Sequence, residues 1–148
     1  MKTLPIRRIL VPTDFQPSSR TALDWAITLG RKFDSAIRVF HAGVVPPVTY
    51  ADVVTWPVGP IEDAARNAMQ TLITAAVKDY PGIEGGVRVG IGAADEILKE
   101  AETWQADLIV MATHGRKGIT RLLMGSVAEN VLRHSATPVF VVRPAEEA

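Results

Sequence analysis

Asp107-Leu108-Ile109-Val110-Met111-Ala112 places an unbroken apolar run directly behind a single acid. The run is too short for an ordinary helix and shows no alternation of apolar and polar residues, which is the pattern of a strand buried on both faces. Strands of that kind belong to parallel sheets with helices on each side. Upstream, Ile97, Ala101 and Trp104 mark a helix, and Gly86-Val87-Arg88-Val89 reads as a strand. Before these, Ile61, Ala65, Ala68, Leu72 and Ala76 form the buried stripe of a long helix that Pro81-Gly82 stops. The stretch from Gly43 to Pro60 contains Pro46, Pro47, Pro57, Gly59 and Pro60, and is expected to be a long loop. Ile37-Arg38-Val39-Phe40 reads as a second strand. A helix from about Pro17 to Lys32 sets Ala22, Ala26, Leu29 and Phe33 on one face with Trp25 beside them, and Ile9-Leu10-Val11 is a first strand ended by Pro12. Downstream, Ser126 to His134 is helical with Val127 and Val131 facing inward, and Pro138 to Val142 is a last strand followed by a polar tail.

Strands and helices therefore alternate from end to end. Right-handed crossovers turn that order into a parallel sheet. The expected fold is α/β: a five-stranded, doubly wound, Rossmann-like parallel sheet with helices on both faces, formed by one domain over residues 1–148. No linker, internal repeat or low-complexity tract interrupts it.

Composition narrows the function. The chain has 148 residues, 47% of them apolar, enough for a real core. Sixteen Lys plus Arg balance sixteen Asp plus Glu, which argues against a nucleic-acid coat or a polybasic membrane anchor. The absence of cysteine excludes disulfides, cysteine-ligated zinc and thiol catalysis. Lys2, Arg7 and Arg8 precede only Ile9-Leu10-Val11 before Pro12, too short for a signal peptide, and no run approaches the ~18 apolar residues of a membrane span. A cytoplasmic protein with a small-molecule or protein partner is expected.

Ligands of doubly wound folds sit outside the carboxyl ends of the strands, where the winding reverses. The segments that reach those ends are Pro12-Thr13-Asp14, His41-Ala42-Gly43, Gly90-Ile91-Gly92 and Thr113-His114-Gly115. The stretch Thr113 to Ser126 holds the strongest signal. Gly115 and Gly118 let a backbone approach a ligand closely, Arg116, Lys117 and Arg121 supply positive charge, and Gly125-Ser126 opens the last helix, where amides and the helix dipole favour a phosphate. The alternative is an ordinary loop with Ser126 as an N-cap. No Walker loop is present. The Asp14 carboxylate could accept a ribose hydroxyl or an adenine amino group, or help to hold Mg²⁺; equally, it could only cap the turn into the first helix. His114 could donate to a phosphate, orient water or act as a base, although a loop histidine more often has a structural hydrogen bond. His41 is expected to be packed, His134 to complement a helix C-terminus, and Asp95-Glu96 to serve the dipole of the third helix. Trp25 and Trp104 lie at core spacing, and Trp56 could cover a pocket or a partner.

Ile9-Leu10-Val11-Pro12-Thr13-Asp14-Phe15 resembles the opening of the universal stress protein family. So does the late block from Asp107 to Met111, through Gly125-Ser126-Val127-Ala128-Glu129, to Leu132-Arg133-His134 and Pro138-Val139-Phe140-Val141-Val142. The resemblance spans essentially the whole chain and is weakest from Gly43 to Pro60. Nucleotide-binding members carry Gly, two residues, Gly, nine residues, Gly and then Ser or Thr. Here Gly115, the stretch Arg116 to Met124, and Gly125-Ser126 match, but Ala112 stands in the first glycine's place. Its methyl adds slight crowding.

The resemblance implies strand order 3-2-1-4-5 and an ATP site between strands 1 and 4. Pro12, Thr13 and Asp14 would face the adenine end, and Ala42 would line the base pocket. Met111, Ala112, His114 and Gly115 would line the ribose and phosphate side, and Gly125, Ser126, Val127 and Ala128 would hold the phosphates. Mg²⁺ or Mn²⁺ would accompany the triphosphate, and strand 5 would pair across a two-fold axis to make a homodimer. An apolar terminal strand would otherwise leave an exposed edge. Three functions follow: an ATP-binding stress or regulatory protein, a slow ATP hydrolase or nucleotidyl transferase, or a dimeric scaffold without nucleotide. No second carboxylate beside Asp14 and no His-x-Gly-His element supports efficient catalysis. The open, positively charged backbone at residues 112, 115, 118 and 125 disfavours a pure scaffold. The first reading is preferred, with no residue assigned as catalytic.

Overall fold

The structure, a computed structural model, describes residues 4–45, 58–113 and 125–144. Its elements run β1 (Arg8–Pro12), α1 (Pro17–Phe33), β2 (Ala36–Val44), α2 (Val58–Ala76), β3 (Ile83–Gly90), α3 (Ala93–Thr103), β4 (Leu108–Ala112), α4 (Ser126–His134) and β5 (Val139–Val142). All pairings are parallel and the sheet order is β3-β2-β1-β4-β5, so the alternation read from the sequence and the strand order implied by the family resemblance both hold.

Side chains of the central strands alternate between two cores. Ile9, Val11, Ile37, Val39 and Val110 pack with Ala22, Leu23, Ala26 and Ile27 of α1 and Met69 and Ala76 of α2. Leu10, Phe40, Ile109 and Met111 pack with Ile97 and Ala101 of α3 and with Ala128 and Val131 of α4. Ile9, Leu10, Val11, Ile109 and Val110 are fully buried, as the unbroken apolar runs require. Each such side chain contributes about 1.5–3 kcal/mol by leaving water.

Several local expectations are corrected. β2 runs on to Val44 and α2 begins at Val58, so both ends of the stretch read as a loop belong to regular elements. Gly59 and Pro60 lie in the first turn of α2, where proline is tolerated because the amide it lacks would have no partner within the helix. Trp56 lies outside the described residues. α1 presents Ala22, Ala26 and Gly30 to the sheet, and these small residues bring the helix close. Phe33 and Trp25, expected inside, are turned outward and are each 46% exposed. Trp25 instead leans on Phe140 of β5, with ring centroids 5.6 Å apart. β3 is longer than the sequence suggests, running from Ile83 to Gly90. At Gly85 an added Cβ would come within 2.6 Å of Met69 Cγ, so only a bare backbone fits beneath α2.

Between α3 and the β2–β3 edge the core is ionic. Glu100, 6% exposed, receives Arg38 Nη1 and Arg88 Nη2 on its two oxygens, each at 2.6 Å. Arg38 also reaches Glu84 at 2.8 Å and lies over the Trp104 ring, while Arg88 reaches Glu96 at 3.3 Å and lies over Phe40. Glu96, read as a dipole partner only, is thus also 7% exposed and shared between Arg88 and Lys99. Removing one member of a buried ionic set leaves a charge without its partner. Glu100→Ala is expected to lower stability by about 2–4 kcal/mol, at the low side because both arginines still reach water. Urea melts of the two proteins measure it; a loss below about 1 kcal/mol would show that the ladder is not a stabilising element.

Candidate functional site

β1 is paired unequally on its two edges. With β2 the ladder runs from Arg8↔Ala36 to Pro12↔Phe40. With β4 it comprises Ile9↔Leu108 and Leu10↔Ile109, although β1 continues to Pro12 and β4 to Ala112. Beyond Leu10, the backbone of β1 stays with β2: Thr13 N donates to Phe40 O at 2.9 Å. Beyond Ile109, β4 stays with β5, from Val110↔Phe140 to Ala112↔Val142, and Thr113 N donates to Val142 O at 3.0 Å. Pro12 brings no amide that could bridge the gap. The divergence lies where the winding reverses, since β2 and β3 build to one side of β1, and β4 and β5 to the other.

On the β1 side the chain makes a tightly bonded turn. Ser19 Oγ donates to Gln16 O at 2.7 Å, so in the 2.9 Å contact between Thr13 Oγ1 and Ser19 Oγ the threonine donates. Thr13 Oγ1 in turn accepts from Phe15 N at 3.0 Å, and Asp14 Oδ1 accepts from Gln16 N at 2.9 Å. Phe15 has φ 63, the left-handed region, which costs a non-glycine residue about 1–2 kcal/mol. These bonds, and the packing of its ring at 4.5 Å from the His41 ring, hold it there. The threonine hydroxyl is therefore used by the turn itself. Asp14 is half-buried at its crest, and it does make the local turn bond that the sequence offered as the alternative to ligand binding.

On the β4 side, Gly125 is the N-cap of α4 and Ser126 its first residue, so the alternative of Ser126 as the cap is corrected. Gly125 has φ −55 and ψ 149, and no side chain caps the helix. The first intrahelical bond is from Glu129 N to Gly125 O at 3.0 Å, which leaves the amides of Ser126, Val127 and Ala128 outside the helix ladder. Ala42, Met111, Val127 and Ala128 meet in the core beneath α3 and α4, whereas Ala112 packs on the opposite face of the sheet with Phe15 and Val11. Ser126 and Val127 also line a hollow of about 560 Å³ between α3 and α4, together with Gly92, Asp95 and Asn130; Asp14 does not line it. His114 and Gly115, with the basic stretch through Arg121, lie outside the described residues.

Of the other histidines, His41 is half-buried and His134 is exposed. His41 Nδ1 contacts Thr13 O at 2.8 Å, and His134 Nδ1 contacts Asn130 O at 2.9 Å near the end of α4. The sequence reading did not identify Phe15, Ser19 or the His41 tie as parts of the site's scaffold. The only signal was a hydroxyl six residues after Thr13, which is too common to single out. Among the described residues no three His, Asp or Glu side chains converge as metal ligands, and no helix is long and apolar enough to cross a membrane.

Comparison with known proteins agrees with this architecture. The chain is 33% identical over 140 residues to the universal stress protein MJ0531 of Methanocaldococcus jannaschii, covering 93% of this chain and 82% of that one. The structure of the universal stress protein UspA from Lactobacillus plantarum superposes with a TM-score of 0.72 at 20% identity, covering 95% of this chain and all of that one. A universal stress protein crystallised in complex with cAMP superposes with a TM-score of 0.68 at 24% identity, covering 95% and 98% of the two chains. The model of the universal stress protein family matches residues 5–143, and this chain belongs to that family.

Proposed function

We propose that this chain binds adenine nucleotides, ATP foremost, in the cleft between the carboxyl ends of β1 and β4, and acts as a cytoplasmic stress-response or regulatory protein rather than an efficient enzyme. The observation that carries the reading is the β1–β4 ladder, which at the winding reversal ends two residues short of the end of β1 and three short of the end of β4. Along the chain, the half-buried Asp14 follows β1, and α4, whose N-terminus no side chain caps, follows β4. Carboxylates suit ribose hydroxyls and amino groups, while unbonded helix amides suit phosphate oxygens. A family member of the same fold has been crystallised with cAMP, itself an adenine nucleotide.

In this reading Pro12, Thr13 and Asp14, with Ala42, form the base and sugar side. Met111 and Ala112, with His114 and Gly115, form the wall toward the phosphates, and Gly125, Ser126, Val127 and Ala128 receive them. Thr13 contributes as a wall rather than as a hydrogen-bond donor, because its hydroxyl is engaged by Phe15 and Ser19 and its N–H by Phe40 O. Mg²⁺ or Mn²⁺ would enter with the triphosphate. The sequence has no His-x-Gly-His element, which favours holding a nucleotide over turning it over quickly.

The open edge of β5 supports a homodimer. β5 ends the sheet, and an unpaired edge offers a row of main-chain donors and acceptors to a second copy. Phe140, 38% exposed beside Trp25, adds an apolar patch at that edge.

Gly125→Val tests the phosphate end. Gly125 has φ −55, which valine adopts without strain, so the folded chain should persist while the added methyls block close approach of an anion. Calorimetric titration with ATP is expected to show binding lost in this variant; unchanged affinity would remove the helix N-terminus from the site. Asp14→Ala is expected to weaken ATP at least tenfold, following the ~1.5–3 kcal/mol of a hydrogen bond to a charged group. Turnover followed over hours with purified protein should stay slow, and rapid multiple turnovers would favour the hydrolase reading. Phe140→Arg is expected to shift the protein from dimer to monomer in sedimentation experiments; a dimer that survives it would place the contact elsewhere.

A further inference from the structure

We propose that His41 is a positioning residue for the Asp14 carboxylate, acting through the Thr13–Asp14 peptide; the inference rests on the nucleotide reading of Asp14. The carbonyl of Thr13 can only accept a hydrogen bond, so Nδ1 of His41, 2.8 Å away, carries the proton and donates. That fixes the neutral tautomer as Nδ1–H. Thr13 is thereby held by β2 at both of its backbone polar groups, its N–H by Phe40 O at 2.9 Å and its C=O by the imidazole of the next residue along β2.

The bonded carbonyl belongs to the peptide that leads into Asp14. Because that unit is planar, fixing the carbonyl also fixes the direction of the Asp14 amide and the start of the following turn. The turn is not one the chain adopts unaided, since Phe15 sits at φ 63. Three contacts hold it: Phe15 N to Thr13 Oγ1, Gln16 N to Asp14 Oδ1, and the Phe15 ring against the His41 ring, centroids 4.5 Å apart. His41 takes part twice, through its nitrogen and through its ring face. A side chain that only filled space on β2 would have no need for a donor at the Nδ1 position. A side chain that orients the next strand's terminal peptide does need one, because the ladder amides of β2 do not bond that carbonyl.

The test separates donor position from bulk. Asparagine places its amide nitrogen near the Nδ1 position of histidine, whereas glutamine carries its amide one carbon further out. ATP affinity is measured by calorimetry for the unaltered chain and for His41→Asn, His41→Gln and His41→Leu, each also in an Asp14→Ala background, with thermal melts alongside. His41→Asn is expected to bind ATP within about threefold of the unaltered chain, and His41→Gln and His41→Leu about tenfold more weakly. In the Asp14→Ala background, His41→Gln is expected to change affinity less than twofold, because the group it positions is gone. If the leucine variant does not fold, the asparagine–glutamine pair carries the comparison. Equal affinities for the asparagine and glutamine variants, or a glutamine loss undiminished without Asp14, would overturn the inference and leave the nucleotide site standing. A chain that binds no adenine nucleotide at all would overturn both.

Discussion

The central strand β1 is bonded along its whole length to β2 but to β4 only at Ile9 and Leu10. Everything that gives this molecule a candidate site follows from that inequality. A parallel sheet wound outward in two directions from β1 must send its chain away on opposite sides at β1 and at β4. The strand ends then separate, and their backbone polar groups turn to neighbours on their own sides, Thr13 to Phe40 and Thr113 to Val142. The early end of the ladder is a consequence of winding, and the residues beyond it are those that happen to end the two strands.

The two faces of the sheet are built by different physics. Beneath α1 and α2 the packing is apolar and close, with Ala22, Ala26 and Gly30 on the helix and Gly85 on the strand admitting backbone where side chains would collide. Beneath α3, toward the β3 edge, Arg38, Arg88, Glu96 and Glu100 replace it with a ladder of ion pairs. Fully hydrogen-bonded, such a ladder fixes which way α3 lies more firmly than apolar contact, since each guanidinium accepts few partner geometries. α3 in turn packs against α4, whose first turn is the anion-receiving end of the proposed site. The ladder thus bears on the position of α4, the helix assigned to the phosphates in the proposed site.

Much of the fold was legible in the residues themselves. The unbroken apolar runs at 9–11 and 108–112 could only be strands buried on both faces, and they are. The alternation of strand and helix determined a parallel sheet. Misreadings arose where periodicity and neighbours disagreed. Trp25 and Phe33 fit a helical stripe, but the stripe that packs is set by Ala22, Ala26 and Gly30, because small residues admit the closest approach to the sheet. Pro60 suggests a continuing loop, although proline is acceptable in a first helical turn. For the proposed site, Asp14, Gly125 and Ser126 are chosen by their positions after strands and before a helix. The bond from His41 to Thr13 could not be read in that way, because it joins residues 28 apart in sequence.

By itself the amino-acid sequence determined the strands, the helices, their order and the kinds of atoms available at the carboxyl end of the sheet. These depend on local pattern, which each segment carries with it. Only the tertiary structure decided that β1 and β4 part company after two pairs, that Glu100 sits between two arginines from neighbouring strands, and that an imidazole on β2 holds the peptide before Asp14. Each of those depends on which distant residue arrives beside which. That is settled when the sheet closes, because a hydrogen bond forms or fails within tenths of an ångström that no linear pattern records.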